Sequence, residues 1–302
     1  MRKRMFKATR FLWLFLAFFA FFGCAAKNSP DRNWDFRAVQ VERARINGAD
    51  IGYRSFGRGE PLLMIMGYAG EMDVWDQNLV RELARSFRVI MFDNRGMGYS
   101  TAGPEPVSMS LLGRDAGGLL DHLEIDKAHV MGWSMGSVAA QELALARPEK
   151  IGSLVLYGSV SENGPVLKAL ERMGRMDKQG LRDLLFPADW AKAHPEIYGL
   201  LPSPRKSPDP NVVAGQRQAL VEWPGTVERL SGLDKPVLLV VGEQDEITPA
   251  RESLKIASLV KGAWIMRFNS AGHWLMYQAP QAVARGVANF LRTGSRLVPE
   301  PD

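Results

Sequence analysis

The chain has a single cysteine, Cys24, among its 302 residues. One cysteine cannot form an intramolecular disulfide, so no covalent cross-link within the chain contributes to the fold. Hydrophobic residues make up 46% of the sequence, which is enough for one large core or at most two domains. We therefore expect the stability of this protein to come from the burial of apolar side chains.

Acidic residues are absent from the first 23 positions, whereas five of the first ten positions are basic. These five charges equal the formal net charge of the whole chain, +5, so the remainder of the sequence is formally neutral. A protein that binds nucleic acid should carry its excess of basic residues in the folded part. Nucleic acid is therefore not an expected partner.

Two motifs of metal and cofactor sites are also missing. The sequence has no H-E-x-x-H, and its four histidines are not spaced as metal ligands. It has no G-x-G-x-x-G that could open a dinucleotide site. The sequence therefore predicts neither a metal ion nor an organic cofactor.

The N-terminal segment has a basic start, an apolar block from Phe11 to Phe22 and then small residues. This order is typical of an export signal. The apolar block is twelve residues long, shorter than the roughly 20 residues that a membrane-spanning helix needs. Residues 1–23 are therefore interpreted as an export signal, with an uncleaved apolar anchor as the alternative.

Cys24 directly follows "FFG" and resembles the lipidated cysteine of bacterial lipoproteins, although Phe21 occupies the position usually held by leucine. The resemblance implies an exported lipoprotein, held on the periplasmic face of a membrane by a lipid on Cys24. A periplasmic or secreted protein with an incidental cysteine is the alternative.

From Val39 onward, short apolar runs alternate with longer helical patterns. Continuous apolar runs bounded by turn residues predict strands buried on both faces, as in a mostly parallel sheet covered by helices. The predicted strands are 61–66, 87–92, 128–133, 151–158, 236–241 and 263–268, and the predicted helices are 75–85, 108–123, 135–146, 249–260 and 280–291. The "NGAD" at 47–50 predicts an antiparallel hairpin at the edge of this sheet. The alternation as a whole predicts an α/β fold.

The alternation stops between residues 159 and 225, where no strand pattern is clear and the apolar residues suggest helices. Long segments of this kind are uncommon in compact domains unless they cover a site, so we interpret this one as a helical cap. The predicted division of the chain is an export signal at 1–23, a tether at 24–38, an α/β core at 39–158 and 226–293, the cap at 159–225 and a tail at 294–302.

One short stretch, "AHVMGWSMGSVAAQELALA", combines a predicted strand, a turn and a predicted helix. Within it, Gly132 and Gly136 flank Ser134 in the order G-x-S-x-G, which in this context is a nucleophile elbow. Strand and helix nearly touch at such a turn, so the two flanking positions must be small. The turn exposes the serine hydroxyl beside the N-terminus of the helix. Ser134 is therefore the predicted nucleophile.

A serine hydroxyl needs a base and an orienting acid to become a good nucleophile. Of the four histidines, His273 in "NSAGHW" follows the last predicted strand, where a loop can return over the serine. Asp245 follows the preceding strand, and Glu243 and Glu246 are rival acids that the sequence does not exclude.

The chain resembles the α/β-hydrolase superfamily from about residue 40 to 293. The order Ser134, Asp245, His273 and the pattern G-x-x-D-x-[IV]-x-P around the acid are similar to those of this family. "MIMGYAGEMDVW" resembles its oxyanion loop, with Met66 in place of the usual histidine, and "DNRGMGYS" resembles another of its turns. The resemblance implies an oxyanion hole formed by the backbone N–H groups of Tyr68 and Met135.

The resemblance also implies acyl transfer to water by a Ser-His-Asp triad. We expect a small-molecule substrate, a carboxylic ester with an apolar or aromatic acyl group. The same triad serves carbon–carbon bond hydrolases, aminopeptidases, lactonases and perhydrolases, which stay as alternatives. A binding protein that keeps the fold without catalysis is a further alternative. Oligomeric state is not predicted.

Overall fold

The computed structural model describes residues 34–204 and 207–294. The predicted export signal, the lipidation site Cys24 and most of the tether and tail lie outside the described residues. Within the described ranges, no helix combines the length and the apolar character that crossing a membrane requires.

An eight-stranded sheet is the centre of the described structure, with the order β1-β2-β4-β3-β5-β6-β7-β8. Its strands are β1 Glu42–Ile46, β2 Ala49–Gly57, β3 Glu60–Ile65, β4 Phe87–Phe92, β5 Ala128–Trp133, β6 Ile151–Tyr157, β7 Val237–Gly242 and β8 Trp264–Phe268. The strands from β4 to β8 along this order pair in parallel, while β2 pairs antiparallel with β1 and β4. The parallel strands therefore bring their carboxyl ends to one edge of the sheet, where ligands of open α/β sheets bind.

The helices alternate with these strands on both faces of the sheet. They are α1 Gln77–Ala84, α2 Met109–His122, α3 Met135–Ala146, α4 Asn163–Met173, α5 Lys178–Leu185, α6 Ala188–Ala193, α7 Ile197–Leu200, α8 Pro210–Glu222, α9 Val227–Leu230, α10 Ala250–Leu259, α11 Leu275–Gln278 and α12 Pro280–Gly294. The predicted fold class, an α/β-hydrolase fold with a mostly parallel sheet between helices, is confirmed.

The core consists of two large hydrophobic clusters, one on each side of the sheet. Strand β3 shows the division: Leu63 and Ile65 belong to one cluster, and Leu62 and Met64 belong to the other. Successive side chains of a strand point to opposite faces, so a strand covered on both faces needs an unbroken apolar run. This is why β3 to β7 could be read from the sequence. Strand β8 corrects the prediction of burial on both faces, because it lies at the edge of the sheet with Trp264, Ile265 and Arg267 exposed.

The hairpin predicted at "NGAD" is present as β1 and β2. Asn47 and Gly48 form its turn with φ values of 45° and 78°. Positive φ at both central residues is the requirement of a type I′ turn, and Asn-Gly is the dipeptide that meets it best.

The segment 34–38 is a correction to the predicted tether. It contains a short 3₁₀ helix, Phe36–Ala38, and the Phe36 side chain is fully buried in the cluster that covers one face of the sheet. Arg37 donates hydrogen bonds to the carbonyl of Asp73. The composition of 24–38 is polar and rich in turn residues, so no core contact was expected there. Trp34 and Phe36 nevertheless pack against Phe56.

Helices α4 to α8 follow β6 and precede α9, in the interval predicted for the cap. No strand interrupts them in the part of this interval that the structure describes. Two small clusters, each built on three buried residues, join α4 to α7, whereas Leu170 of α4 and Ala219 and Leu220 of α8 belong to the large core cluster. One of these clusters includes Ile247, which follows β7, so the cap packs directly on a loop of the core.

Candidate active site

Ser134 lies between β5 and α3 and has φ 54° and ψ −124°. A positive φ at a residue with a Cβ is strained and persists only when the surrounding structure enforces it. The two neighbouring glycines show how it is enforced. A Cβ on Gly132 would collide with the backbone carbonyl of Gly136, and a Cβ on Gly136 would collide with the backbone of Ile65. Strand β5, helix α3 and strand β3 therefore meet at the serine with no room for side chains.

Hydrogen bonds fix both sides of the Ser134 peptide backbone. Its N–H donates to the carbonyl of Tyr157 at 2.9 Å, and the Ser137 hydroxyl donates to its carbonyl at 2.6 Å. Met135 is the first residue of α3, so its N–H belongs to the unpaired first turn and to the positive end of the helix dipole. The elbow therefore places the Ser134 hydroxyl beside N–H groups of the first turn of α3, which can stabilise negative charge.

His273 lies in the loop after β8, and its side chain is almost completely buried. Its backbone carbonyl accepts hydrogen bonds from Trp133 Nε1 at 3.1 Å and from the Tyr157 hydroxyl at 2.9 Å. The Trp133 ring also packs against the imidazole, with the ring centroids 5.1 Å apart. The residue next to Ser134 therefore holds the loop that carries His273.

Asp245 follows β7, and its carboxylate contacts the imidazole directly, with Oδ2 2.7 Å from His273 Nδ1. The N–H groups of Ile247 and Thr248 donate to Oδ1, each at 2.8 Å. A carboxylate accepts hydrogen bonds only, so Nδ1 carries the shared proton. The Nε2 lone pair of the ring is then free to take a proton from another group.

The rival acids have other partners. Glu243 forms an ion pair with Arg267 at 2.5 Å, and Glu246 forms one with Arg172. Of these three acids, the structure brings Asp245 to His273.

The remaining histidines also lie elsewhere. His129 faces Glu60 from within β5, and burial lowers its pKa. His194 stacks on Trp190 in the cap, and His122 packs edge-on against Tyr53.

Thr248 is a site residue that sequence reasoning missed. Its hydroxyl donates to Asp245 Oδ2 at 2.7 Å and lies 3.2 Å from His273 Nδ1. It therefore braces the contact between acid and imidazole. Its place in the "EITP" run, just before the proline of the acid motif, was the available signal.

A cavity of about 450 Å³ opens onto this arrangement, and its wall includes Ser134, His273, Tyr68 and Met135. The rest of the wall is mainly apolar and comes largely from the cap, with Val166, Ala169, Leu170, Met173, Leu181, Leu185, Val213 and Leu220. Among the lining residues that the structure describes, Arg217 is the one arginine or lysine, and none is an acid. The structure thus brings the predicted nucleophile, base and oxyanion residues to one apolar chamber.

The loop after β3 forms the wall opposite the elbow. Gly67 is so close to the elbow that an added Cβ would lie 3.1 Å from the Cβ of Ser134. The Asn94 side chain donates to the carbonyl of Met66 at 2.9 Å, and Ala69 has a φ of 55°. Met66, which stands where the family has histidine, is fully buried in the core. Packing therefore replaces a polar contact at this position.

Asp93 and Arg95, both in the "DNRGMGYS" stretch, hold the neighbouring turns. The Asp93 carboxylate accepts from the N–H groups of Met72 at 2.6 Å and Tyr99 at 2.7 Å. Burial raises the pKa of Asp93 to about 7, although these two hydrogen bonds oppose the shift. Arg95 forms a two-point ion pair with Asp115, and both side chains are fully buried.

Two family models match the chain. A model described as the alpha/beta hydrolase fold matches residues 60–189, and a model described as TAP-like protein matches residues 216–302. A 2-hydroxymuconate semialdehyde hydrolase from a Pseudomonas species is 30% identical, over 88% of this chain and 96% of its own length. A putative carbamate hydrolase from a Caulobacter species is 27% identical, over 77% of this chain and 90% of its own length.

Solved structures agree with these sequence matches. A hydrolase from Pseudomonas aeruginosa has a TM-score of 0.75 at 28% identity, covering 84% of this chain and 99% of that one. An enol-lactonase from Burkholderia xenovorans has a TM-score of 0.74 at 22% identity, covering 83% and 100%, a likeness of fold. By its sequence relatives, its fold and the arrangement at its sheet edge, the chain belongs to the alpha/beta hydrolase superfamily and is a hydrolase.

Proposed function

We propose that this protein hydrolyses carboxylic esters with apolar or aromatic acyl groups through a Ser134-His273-Asp245 triad. The observation that carries the proposal is the shared cavity of Ser134 and His273, with the Asp245 carboxylate 2.7 Å from Nδ1 of the same imidazole. Nucleophile, base and orienting acid are the three parts of this chemistry.

The proposed reaction has two halves. Ser134 Oγ attacks the ester carbonyl carbon while His273 Nε2 takes its proton, and a tetrahedral intermediate forms. This intermediate collapses when the imidazolium protonates the departing alkoxide, which leaves an acyl-enzyme and a free alcohol. Water then attacks the acyl carbon by the same route, and the acid product leaves with Ser134 restored. Asp245 stabilises the imidazolium in both halves.

The oxyanion of each tetrahedral intermediate would lie between the backbone N–H groups of Tyr68 and Met135. Both residues line the cavity beside Ser134, and Met135 adds the dipole of α3. Donors fixed before the reaction stabilise the developing charge without reorganisation, and one such donor is worth about 10²–10³ in rate.

We further propose that residues 159–225 act as the cap that selects the acyl group. Support comes from the wall of the cavity, where cap side chains such as Leu170, Met173 and Leu185 outnumber polar groups. A chamber of this kind favours substrates that bury apolar surface, at roughly 25 cal/mol per Å².

Carbon–carbon bond hydrolysis is the second candidate. It is favoured by the 30% identity to a 2-hydroxymuconate semialdehyde hydrolase over nearly the full length of that protein. The same nucleophile, base and acid would serve either reaction, so the triad itself does not discriminate between them.

The test uses the full chain, purified in mild detergent, with p-nitrophenyl esters from acetate to decanoate and a fluorophosphonate probe. We expect turnover with a preference for medium acyl chains, and one labelled site. Ser134→Ala should abolish labelling and lower turnover by about 10⁴-fold or more, while Ser253→Ala, another buried serine, should leave both unchanged. Absence of labelling in the native protein, under conditions that label a control esterase, would contradict the proposal.

A substrate panel separates the two candidates. Esters, lactones, amides and vinylogous diketones are compared by kcat/KM with the same enzyme preparation. Highest kcat/KM on esters supports the main proposal, and a diketone preferred by 10²-fold or more would replace it with carbon–carbon hydrolysis.

We also propose that the protein is exported and anchored to a membrane by a lipid on Cys24. The support is the order of basic, apolar and small residues before this cysteine. Cys24→Ser should move the protein from the membrane fraction to the soluble periplasmic fraction. Unchanged partitioning would indicate instead that the apolar block from Phe11 to Phe22 is the anchor.

A further inference from the structure

Helix α8 of the cap lies directly on two loops of the core. The Val212 side chain fills the space beside Gly96, where a Cβ would have no room. One turn further along the helix, Gln216 reaches the loop after β3, where its Oε1 accepts a hydrogen bond from the N–H of Ala69 at 2.9 Å. This bond joins residues that are 147 positions apart.

The Gln216 side chain is completely buried, and its amide uses only part of its hydrogen-bonding capacity. Its Nε2 has no partner among the described residues. A buried polar group without a partner costs about 1–3 kcal/mol. An apolar side chain of similar length would fill the same space without that cost. A glutamine at this position is therefore explained by its Oε1, which accepts the hydrogen bond from the Ala69 N–H.

Ala69 is a residue whose backbone needs support. Its φ of 55° lies in the left-handed region that residues with a Cβ rarely adopt. Strain of this kind, of order 1–3 kcal/mol, persists only where the surroundings hold the backbone. The preceding residue is Tyr68, whose N–H is one of the two proposed oxyanion donors. The hydrogen bond from the Ala69 N–H fixes the Tyr68–Ala69 peptide, which is attached to the Cα of Tyr68, and so restrains the backbone that carries the Tyr68 N–H.

We propose that Gln216 is a positioning residue: from the cap, it holds the Tyr68–Ala69 segment so that the Tyr68 N–H faces the oxyanion. The inference rests on the proposed function, because it assigns a role within the same site. It has one consequence for the reaction. The oxyanion donor is aligned only while α8 is seated on the core, so closure of the cap and completion of the active site are one event.

The experiment compares Gln216→Met, which keeps the length and loses the acceptor, with Gln216→Glu, which keeps an acceptor oxygen. Two controls are matched to them. Gln218→Met changes a glutamine on the exposed side of the same helix, where it pairs with Glu222. Gln141→Met removes a buried amide that bonds Ser159, Val160 and Thr226 and does not contact the loop of Ala69, so it is the control for lost stability in the exchange measurement.

For Gln216→Met we expect kcat to fall by about 10- to 100-fold with KM changed less than threefold. The reason is that a Tyr68 N–H that points away from the oxyanion stabilises it less. Affinity for a trifluoromethyl ketone, which forms an oxyanion on Ser134, should fall by a similar factor. Affinity for the carboxylic acid product should stay within twofold. Gln216→Glu should recover kcat to within about fivefold of the native enzyme, and Gln218→Met should retain it.

Hydrogen exchange gives a readout that does not depend on the reaction. The Ala69 amide should exchange at least tenfold faster in Gln216→Met than in the native protein and in Gln218→Met. An unchanged exchange rate, or a native kcat in a folded Gln216→Met, overturns the inference. If the native protein neither turns over esters nor reacts with the fluorophosphonate, the proposed function fails, and the exchange result still decides whether Gln216 holds the loop.

Discussion

The core and the cap of this hydrolase are stabilised in different ways. At the sheet edge, backbone N–H and carbonyl groups fix Ser134, Asp245 and His273 through hydrogen bonds of 2.6–3.2 Å. In the cap, two small clusters join the short helices α4 to α7, one of them through Ile247 of the core, and the cap residues that line the cavity are mainly apolar. Directional bonds define a geometry to a fraction of an ångström, whereas apolar packing tolerates exchange of side chains.

The difference between hydrogen bonding in the core and apolar packing in the cap corresponds to two proposed tasks, catalysis and selection of the acyl group. Chemistry depends on where a few polar atoms lie, so it is assigned to loops that follow strands of a rigid sheet. In the proposed function, selection of the acyl group depends on volume and apolar area, so it falls to the apolar cap residues, which do not belong to the proposed triad. We therefore expect substitutions of the core residues at the site to change kcat or stability, and substitutions of cap residues that line the cavity to change KM.

The largest effect is expected for Asp245→Asn. The asparagine oxygen can keep the N–H bonds of Ile247 and Thr248, but its NH₂ group would then face His273 Nδ1. The imidazole would have to place its proton on Nε2 and could no longer act as a base, which typically costs about 10⁴ in kcat. Esterase kinetics with Glu243→Gln and Glu246→Gln as controls test this. A loss in either control that matches Asp245→Asn would reassign the acid.

The second prediction compares a glycine of the core with one of the cap. Gly136→Ala introduces a Cβ against the backbone of Ile65 and should lower the free energy of unfolding by about 1–3 kcal/mol, with activity lost as well. Gly164→Ala lies in α4, where no atom of the described residues lies within 4 Å of the added Cβ, and should be neutral or stabilising by up to about 1 kcal/mol. Urea denaturation measures both. Equal changes in the free energy of unfolding for the two variants would contradict the difference in packing between the core and the cap.

The third prediction uses Asp93, whose pKa is raised by burial from 3.8 to about 7. A carboxyl with a raised pKa in the folded state stabilises the fold fully below its unfolded pKa, and this contribution is lost as the pH rises through 7. From pH 5 to pH 8 the native protein should lose on the order of 2 kcal/mol through this group.

In Asp93→Asn the same loss should be absent, because the amide does not titrate. The variant also loses one of the two acceptors for Met72 and Tyr99, so it should be less stable than the native protein at pH 5. Urea midpoints at the two pH values provide the measurement. A pH dependence that is identical in both proteins would show that Asp93 does not cause it.

The smallest effect is expected for Arg217→Gln in the cap. Arg217 lines the cavity but is largely exposed to solvent, so its attraction for an anionic substrate is worth no more than about 1 kcal/mol. KM for p-nitrophenyl hemiglutarate should rise about two- to fivefold, and KM for the neutral p-nitrophenyl valerate should not change. Arg175→Gln, a change elsewhere in the cap, is the control. A fall in kcat with the neutral ester would contradict a role in selection alone.

The sequence revealed the parts of this protein that repeat a simple physical rule. Strands covered on both faces need continuous apolar runs, so β5 and β7 were visible as such. The elbow was visible because the approach of strand and helix forces glycine at positions 132 and 136.

The sequence did not reveal contacts that join distant positions. Thr248 braces His273 across 25 positions, and Tyr157 holds the same loop across 116. Gln216 looks in the sequence like any polar residue of an amphipathic helix. The predicted tether extended too far toward the core. Its polar composition indicated no burial of Trp34 and Phe36, and their burial depends on the tertiary contacts of the core. Such contacts depend on tertiary geometry, which no local pattern encodes.

Trp133 has a consequence for engineering this enzyme. It occupies the variable position of the elbow, yet its indole N–H holds the carbonyl of His273 and its ring packs on the imidazole. Trp133 thereby connects the turn that carries the proposed nucleophile to the loop that carries the proposed base, so a change at position 133 affects both. A library that randomises position 133 to widen the chamber will therefore misalign the two loops, and compensating changes belong in the cap.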